Sequence, residues 1–271
     1  MISPAGDGER LLLAVGLGAA RTVPLCWAVP ALGGPRVAPE VRAGLGILLA
    51  VLCLPALLPA VGASAIAANG PVGWTLVLAR ELLVGLTVGL CVGAGFRAAE
   101  AAGRLADLAR GANLAEVLSP MSDERTSPTG DLYLFVAVIV FLELGGLRVF
   151  AQALGRSYEA VPLGAASSAL FPGGLRAAAA LVTAAVAKLM EAALGLAAPV
   201  LVASWLADAT LGLVARTAPQ IPIYFAAIPA KALLGLGVSL VGLGAIEAVF
   251  AGGFQAWATL FDQALAGWRP R

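Results

Sequence analysis

Apolar runs of helix-spanning length cover most of the chain, and most are broken near the middle by a charge: Arg21, Arg80-Glu81, Glu143, Lys188 with Glu191, Asp208, Lys231, Glu247. Leu11 to Leu32 is interrupted by Arg21, Pro24 and Pro30. Internal prolines kink a helix, and in a membrane its neighbours must supply the lost backbone bonds. Ala43 to Ala79 carries no charged side chain. It exceeds the about 20 residues that span a bilayer, so Pro55, Pro59, Asn69-Gly70 and Pro71 must divide it. The pattern predicts a helix from about Val41 to Leu58, a loop to Pro71, and then another helix. In that next helix Gly85, Gly89 and Gly93 lie four apart on one face, which lets another helix backbone approach closely. They name no partner.

Beyond Phe96 the periodicity changes. Arg97, Glu100, Arg104 and Asp107 recur at steps of three and four between Ala101, Leu105 and Leu108. This predicts an amphipathic helix with a solvated charged stripe and pairs such as Glu100–Arg104. Gly111 to Gly130 has a glycine at each end, two prolines and the cluster Asp123-Glu124-Arg125, and reads as a loop. A structureless loop of this length is usually functional or disordered. Leu132 to Leu144 is apolar up to Glu143. Gly145-Gly146-Leu147, Pro162 and Pro172-Gly173-Gly174 follow as punctuation. The helix after them contains Arg176, Lys188 and Glu191, the last two spaced to pair on one face.

The most informative stretch is Asp208 to Leu236, with three ionisable groups, Asp208, Arg216 and Lys231, in apolar surroundings. Pro219 and Pro222 flank Gln220-Ile221. Neither proline donates a backbone hydrogen bond, and each pushes the residue before it out of the helical region. A helix arriving from Trp205 therefore stops near Thr217, another starts near Ile223, and its arm runs past Glu247 to Gly252-Gly253. A charge at mid-membrane depth costs roughly 2.5–3.5 kcal/mol, so such groups find partners or serve a function. Asp208 and Lys231 lie nearly equally far from the turn and predict a bridge that sets the register of the hairpin. Arg216 is two turns from Asp208, about 12 Å at 1.5 Å per residue. It is left for a partner subunit or for backbone carbonyls.

Composition narrows the class. Of the 271 residues 60% are hydrophobic and only 12% charged, with a mean hydropathy of +0.93. A soluble domain carries about a quarter charged residues. The fold class is therefore all-α, a polytopic membrane protein of helical hairpins and kinked helices. The first apolar run, behind Arg10, could be a signal peptide, but the runs that follow make a first spanning helix the better reading. A net charge of +1 gives no footprint for nucleic acid. Histidine is absent, which removes the commonest metal ligand and the commonest general base near neutral pH. Neither His-Glu-x-x-His nor Gly-x-Ser-x-Gly occurs, which argues against an intramembrane enzyme. Cys26, Cys53 and Cys91 are widely spaced in apolar runs and read as buried thiols. A secondary transporter would share the charges and the proline-broken helix. It predicts two repeated halves, and no second such hairpin occurs in the first half. The end of the chain, Trp268, Arg269 and Arg271, reads as an interfacial anchor. Because the charges break so many runs, the helices are better explained as packed against other polypeptide than as independent spans facing lipid.

Ala198-Pro199-Val200, Asp208, Leu211-Gly212-Leu213, Arg216, Ala218-Pro219-Gln220 and Pro229-Ala230-Lys231 resemble, in order and spacing, the FliR/SctT family of flagella and type III secretion injectisomes. Arg21, Val29-Pro30, Arg36 and Arg42 continue the resemblance. So do Ala102-Gly103, Asp107, Gly111, Pro120, Ser127-Pro128-x-Gly130, Gly145-Gly146-Leu147, Ser157-Tyr158 and Pro162. Gly-Gly-Leu, Ser-Tyr and Ser-Pro-x-Gly look more like the injectisome branch, Asp208 and Gly235 more like the flagellar one. Where relatives carry Asn after Pro-Gln-apolar, this chain has Pro222. The resemblance implies a non-catalytic, cofactor-free export-gate subunit of the bacterial inner membrane, in a helical cone lying largely above the bilayer plane. It implies FliP/SctR-like, FliQ/SctS-like and FlhB/SctU-like partners, contact with membrane lipid, and unfolded secreted proteins as substrates. Residues 1–173 would be FliP/SctR-like, with a loop over 111–130 that plugs the closed gate through Leu114, Pro120, Met121, Ser127 and Pro128. Residues 174–271 would form a FliQ/SctS-like hairpin.

Overall fold

The computed structural model describes residues 4–34, 37–58, 70–112, 127–163, 173–218, 220 and 223–252, and these contain helices and no strand. The helices are α1 (Pro4–Ala28), α2 (Pro39–Leu52), α3 (Leu54–Leu57), α4 (Gly70–Arg110), α5 (Pro128–Glu143), α6 (Gly146–Ala160), α7 (Gly173–Thr217), α8 (Ile223–Val241) and α9 (Leu243–Gly252), with a 3-10 turn at Pro30–Leu32. The fold is all-α, as the apolar pattern requires.

The ends of the elements follow from residue chemistry. The helix expected over Val41 to Leu58 breaks at Cys53, because Pro55 has no N–H to continue the ladder. The break at Gly145 uses a left-handed backbone, φ 71°, which glycine adopts freely. α7 ends at Thr217 and α8 begins at Ile223, as the two turn prolines dictate. α8 stops at Gly242, and α9 continues at a bend of 41°. The amphipathic stretch from Arg97 is not a separate element. It is the last third of one 41-residue helix, α4. Likewise α7 runs unbroken for 45 residues, with Pro199 inside it. At 1.5 Å per residue α4 and α7 are each about 60 Å or more, roughly twice the 30 Å hydrocarbon thickness. Both therefore carry turns that hydrocarbon alone cannot cover. By length and composition three described helices could span a membrane, within Arg10–Ala28, Val72–Arg110 and Ala178–Thr217, or up to five if two broken pairs each count as one.

The chain forms two compact units. One contains residues 1–94, 145–187 and 254–271, the other 95–144 and 188–253. In the first, α1 packs on α2 and on the first part of α4. The glycine ladder finds its partner there. A Cβ at Gly85 would collide with the Arg21 carbonyl, one at Gly93 with the Ala28 carbonyl, and one at Gly89 would lie 2.8 Å from the Ala28 Cβ and 3.0 Å from the Leu25 Cα. On the α2 side a Cβ at Gly46 would lie 2.7 Å from the Val23 side chain, and Thr22 Oγ1 donates to the Gly46 carbonyl at 2.7 Å. Cys91 closes against Leu181 and Ala185 of α7. Cys26, Cys53 and Cys91 are all free thiols, Cys53 only half-buried. In the second unit, Phe96 of α4 packs edge-on to Phe141 of α5 at 5.1 Å and against Phe250 of α9 at 5.5 Å. Tyr133 donates to the Ser239 carbonyl of α8 at 3.1 Å.

Candidate functional site: buried charge clusters and a charged hairpin

In the first unit the mid-run charges meet. Arg21, Arg80 and Glu81 are each at most 1% exposed. Arg21 Nε donates to Glu81 Oε2 at 2.7 Å, and Arg80 Nη2 donates to Glu81 Oε1 at 2.8 Å. Two cations thus share one anion. Other donors reach the chain at the end of α6: Arg21 donates to the carbonyls of Ser157 at 2.9 Å and Val161 at 2.8 Å, and Arg80 to that of Pro162 at 2.8 Å. Val161 and Pro162 follow the last residue of α6, at the negative end of its dipole, so buried guanidiniums fit there. The Arg21 guanidinium also lies 4.5 Å above the Tyr158 ring. The pattern along the chain singled out Arg21, Arg80 and Glu81 as charges in apolar runs and Ser157-Tyr158 and Pro162 as family positions. It did not show that they form one cluster.

In the second unit the charged stripe of α4 is not a solvated face. Glu100 and Asp107 are buried, while Arg97 and Arg104 reach outward and cover Glu100 at 3.0 and 2.6 Å. The expected Glu100–Arg104 pair forms, but it closes over a buried acid. Asp107 is buried because the start of α5 sits on it. Its Oδ2 accepts from Ser127 Oγ at 2.5 Å and from the Thr129 amide at 3.1 Å, so a carboxylate faces the positive end of a helix. Ser127 caps α5 by accepting from the Gly130 amide at 3.1 Å, and Pro128 occupies the first turn, where no N–H is needed. Arg110 bridges Asp107 Oδ1 at 2.5 Å and Thr129 Oγ1 at 2.9 Å. A Cβ at Gly103 would strike the Thr129 and Gly130 backbones. Gly103, Asp107 and Ser-Pro-x-Gly are therefore one staple joining the two sides of the expected loop. Leu114, Pro120 and Met121, expected to act in that loop, lie outside the described residues.

The hairpin bridge is present: Lys231 Nζ lies 2.8 Å from Asp208 Oδ1 and 2.9 Å from Oδ2. Its setting differs from the buried pair that the apolar surroundings suggest, since the Asp208 side chain is 55% exposed and that of Lys231 17%. Arg216 and Gln220 are exposed, and Arg216 forms no ion pair among the described residues. Pro219 and Pro222 lie outside the described residues. Lys188 and Glu191 pair at 2.8 Å, with both side chains at least half exposed. The same two helices expose Trp205, Leu206, Leu213, Leu233 and Val241. Charged and large apolar groups thus share the open surface of this hairpin. No group of three or more His, Cys, Asp or Glu side chains able to hold a metal ion occurs among the described residues.

Long apolar helices with internally paired charges, glycine-mediated backbone contact and an open hairpin surface define a multi-pass α-helical membrane protein. Residues 12–257 match the family of bacterial export proteins, family 1, and the chain belongs to this FliR/SctT family and to the bacterial inner membrane. It is 31% identical over 159 residues to the Yop proteins translocation protein T of Yersinia pestis, an alignment that spans 59% of each chain. It is 27% identical to the secretion system apparatus protein SsaT of Salmonella typhimurium, over 62% of this chain and 63% of that protein. With the flagellar biosynthetic protein FliR of Caulobacter vibrioides it shares 23% identity over 89% of this chain and 93% of that one.

Proposed function

We propose that the chain is a structural subunit of a type III secretion export gate, forming part of the inner-membrane pore through which unfolded substrates enter. The observation that carries this reading is the family match over residues 12–257. The open surface of the α7–α8 hairpin supports it. Ion pairs at Lys188–Glu191 and Asp208–Lys231, the cation Arg216 and large apolar side chains share that surface. Lipid suits the apolar groups and not the charges, whereas a protein neighbour or a wet conduit suits both. The role is to supply channel wall and is not catalytic. Neighbours are FliP/SctR-like, FliQ/SctS-like and FlhB/SctU-like subunits, with the FliQ-like part beginning near Gly173. The loop expected over 111–130 ends at Ser127, where α5 begins, and held at its base by Asp107 and Ser127 it plugs the closed gate. The injectisome-like motifs favour an injectisome over a flagellum.

Co-expression tests this reading. Alone in detergent the chain should aggregate, and co-expression with FliP/SctR-like and FliQ/SctS-like subunits should yield one co-purifying complex. A monodisperse protein that purifies alone and captures neither subunit refutes it.

A further inference from the structure

The geometry points to a binding site for the phosphate headgroup of an anionic phospholipid at the Trp27–Arg42 pair, where the loop between α1 and α2 turns. This rests on the chain being a membrane protein and not on the export reading. The Arg42 guanidinium lies 4.5 Å above the Trp27 ring, and Trp27 is 51% exposed. The Arg42 stem packs against the turn at Gly33, where a Cβ would meet its Cγ at 3.0 Å. Of its nitrogens only Nε is closed off without a hydrogen-bond partner. Nη1 and Nη2 make no hydrogen bond or ion pair among the described residues, and Arg42 is half-buried. Glu40, exposed in the same turn, does not pair with Arg42. A guanidinium with two free donors in a fixed plane matches a phosphate better than any other common anion of a membrane surface.

The neighbouring apolar surface sets the depth. α2 turns Val41, Ile47, Leu48, Val51 and Leu52 outward, all at least 43% exposed. From Arg42 to Leu52 is about 15 Å of helix, half the thickness of a roughly 30 Å hydrocarbon core. On α1 the exposed large apolar side chains are Leu11, Leu12 and Trp27, and apart from Gly16 the residues between are buried or half-buried. Trp27 and Arg42 therefore lie at one edge of the apolar surface that α2 presents. Tryptophan belongs there by its amphipathic ring, and arginine by extending its charge to the headgroups. Trp27 holds the guanidinium by cation–π contact, so binding a phosphate requires little further ordering of the side chain.

The full chain, extracted with whatever export-apparatus subunits accompany it, tests this by native mass spectrometry in defined detergent with added phosphatidylglycerol or phosphatidylcholine. We expect phosphatidylglycerol to be retained preferentially. Arg42→Gln should lower its retention about fivefold and Arg42→Lys less, while Arg148→Gln, at an exposed arginine of α6, leaves it unchanged. Equal retention of the two lipids, or no loss in Arg42→Gln, overturns the proposal. Because Arg42→Gln could disturb packing, a second measurement uses the native arginine. With Trp74, Trp205, Trp257 and Trp268 replaced by Phe, Trp27 fluorescence in phosphatidylcholine–phosphatidylglycerol vesicles should be quenched by a headgroup spin label more than by one at the chain centre. Stronger quenching from the centre, or none from either, also overturns it. The second result means that protein covers the pair.

Discussion

Replacing Glu81 by Gln should harm the protein more than replacing Arg21 by Gln, although the two are bonded to each other at 2.7 Å. The reason is the unequal charge count of the buried cluster. With Arg21 gone, Glu81 keeps its 2.8 Å pair with Arg80, and charge inside the cluster balances. The loss is then mainly the donor to the Val161 carbonyl, roughly 1–3 kcal/mol for one buried acceptor left unsatisfied, since the Ser157 carbonyl still accepts from the Val161 amide at 3.0 Å. With Glu81 gone, two guanidiniums at most 1% exposed face each other with no anion. Breaking a buried pair costs roughly 3–5 kcal/mol, and two cations lose the same partner here, so the upper end or more applies. Against a total stability of about 5–15 kcal/mol, Glu81→Gln should nearly abolish accumulation while Arg21→Gln leaves a reduced amount. The readouts are abundance in the membrane fraction and the temperature at which the detergent-solubilised complex aggregates. The charge-swapped double variant Arg21→Glu with Glu81→Arg should not recover, because a glutamate cannot donate to the α6 carbonyls. Glu81→Gln as stable as Arg21→Gln, or recovery in the swap, would refute this account of the cluster.

The hairpin should respond in the opposite way. Asp208→Ala or Lys231→Ala alone should cost only up to about 1 kcal/mol in the isolated chain, since the Asp208 carboxylate is more than half exposed there, but should impair assembly with partners; here the swapped double variant should regain part of the complex on a pull-down. On the glycine ladder, Gly85→Val should abolish accumulation in membranes by driving α1 off α4. Gly16→Ala, with nothing within 4 Å of its new Cβ, should be neutral or slightly stabilising in a thermal melt. Deleting residues 114–126 while keeping Asp107, Arg110, Ser127 and Thr129 should leave assembly intact and render cells leaky to small ions. A tight membrane with normal assembly would leave that loop as a connector.

The linear pattern alone determined the fold class, the glycine face of α4 and the ends of the hairpin helices. Each depends on local rules: apolar length against bilayer thickness, a four-residue repeat, and the missing N–H of proline. It also placed Asp208 opposite Lys231, because distance from a tight turn fixes register along two antiparallel arms. Tertiary structure decided which charges are buried and with whom. Glu100 and Arg104 look alike on a helical wheel, yet the acid is buried and the arginine is outside, because α5 begins over one edge of that face. Arg21 meets Glu81 from 60 residues away and Ser157 from 136, separations that no period in the chain encodes. Whether a polar side chain in an apolar run is a liability or an anchor depends on which carbonyls and counter-charges folding brings beside it. That choice belongs to helix packing.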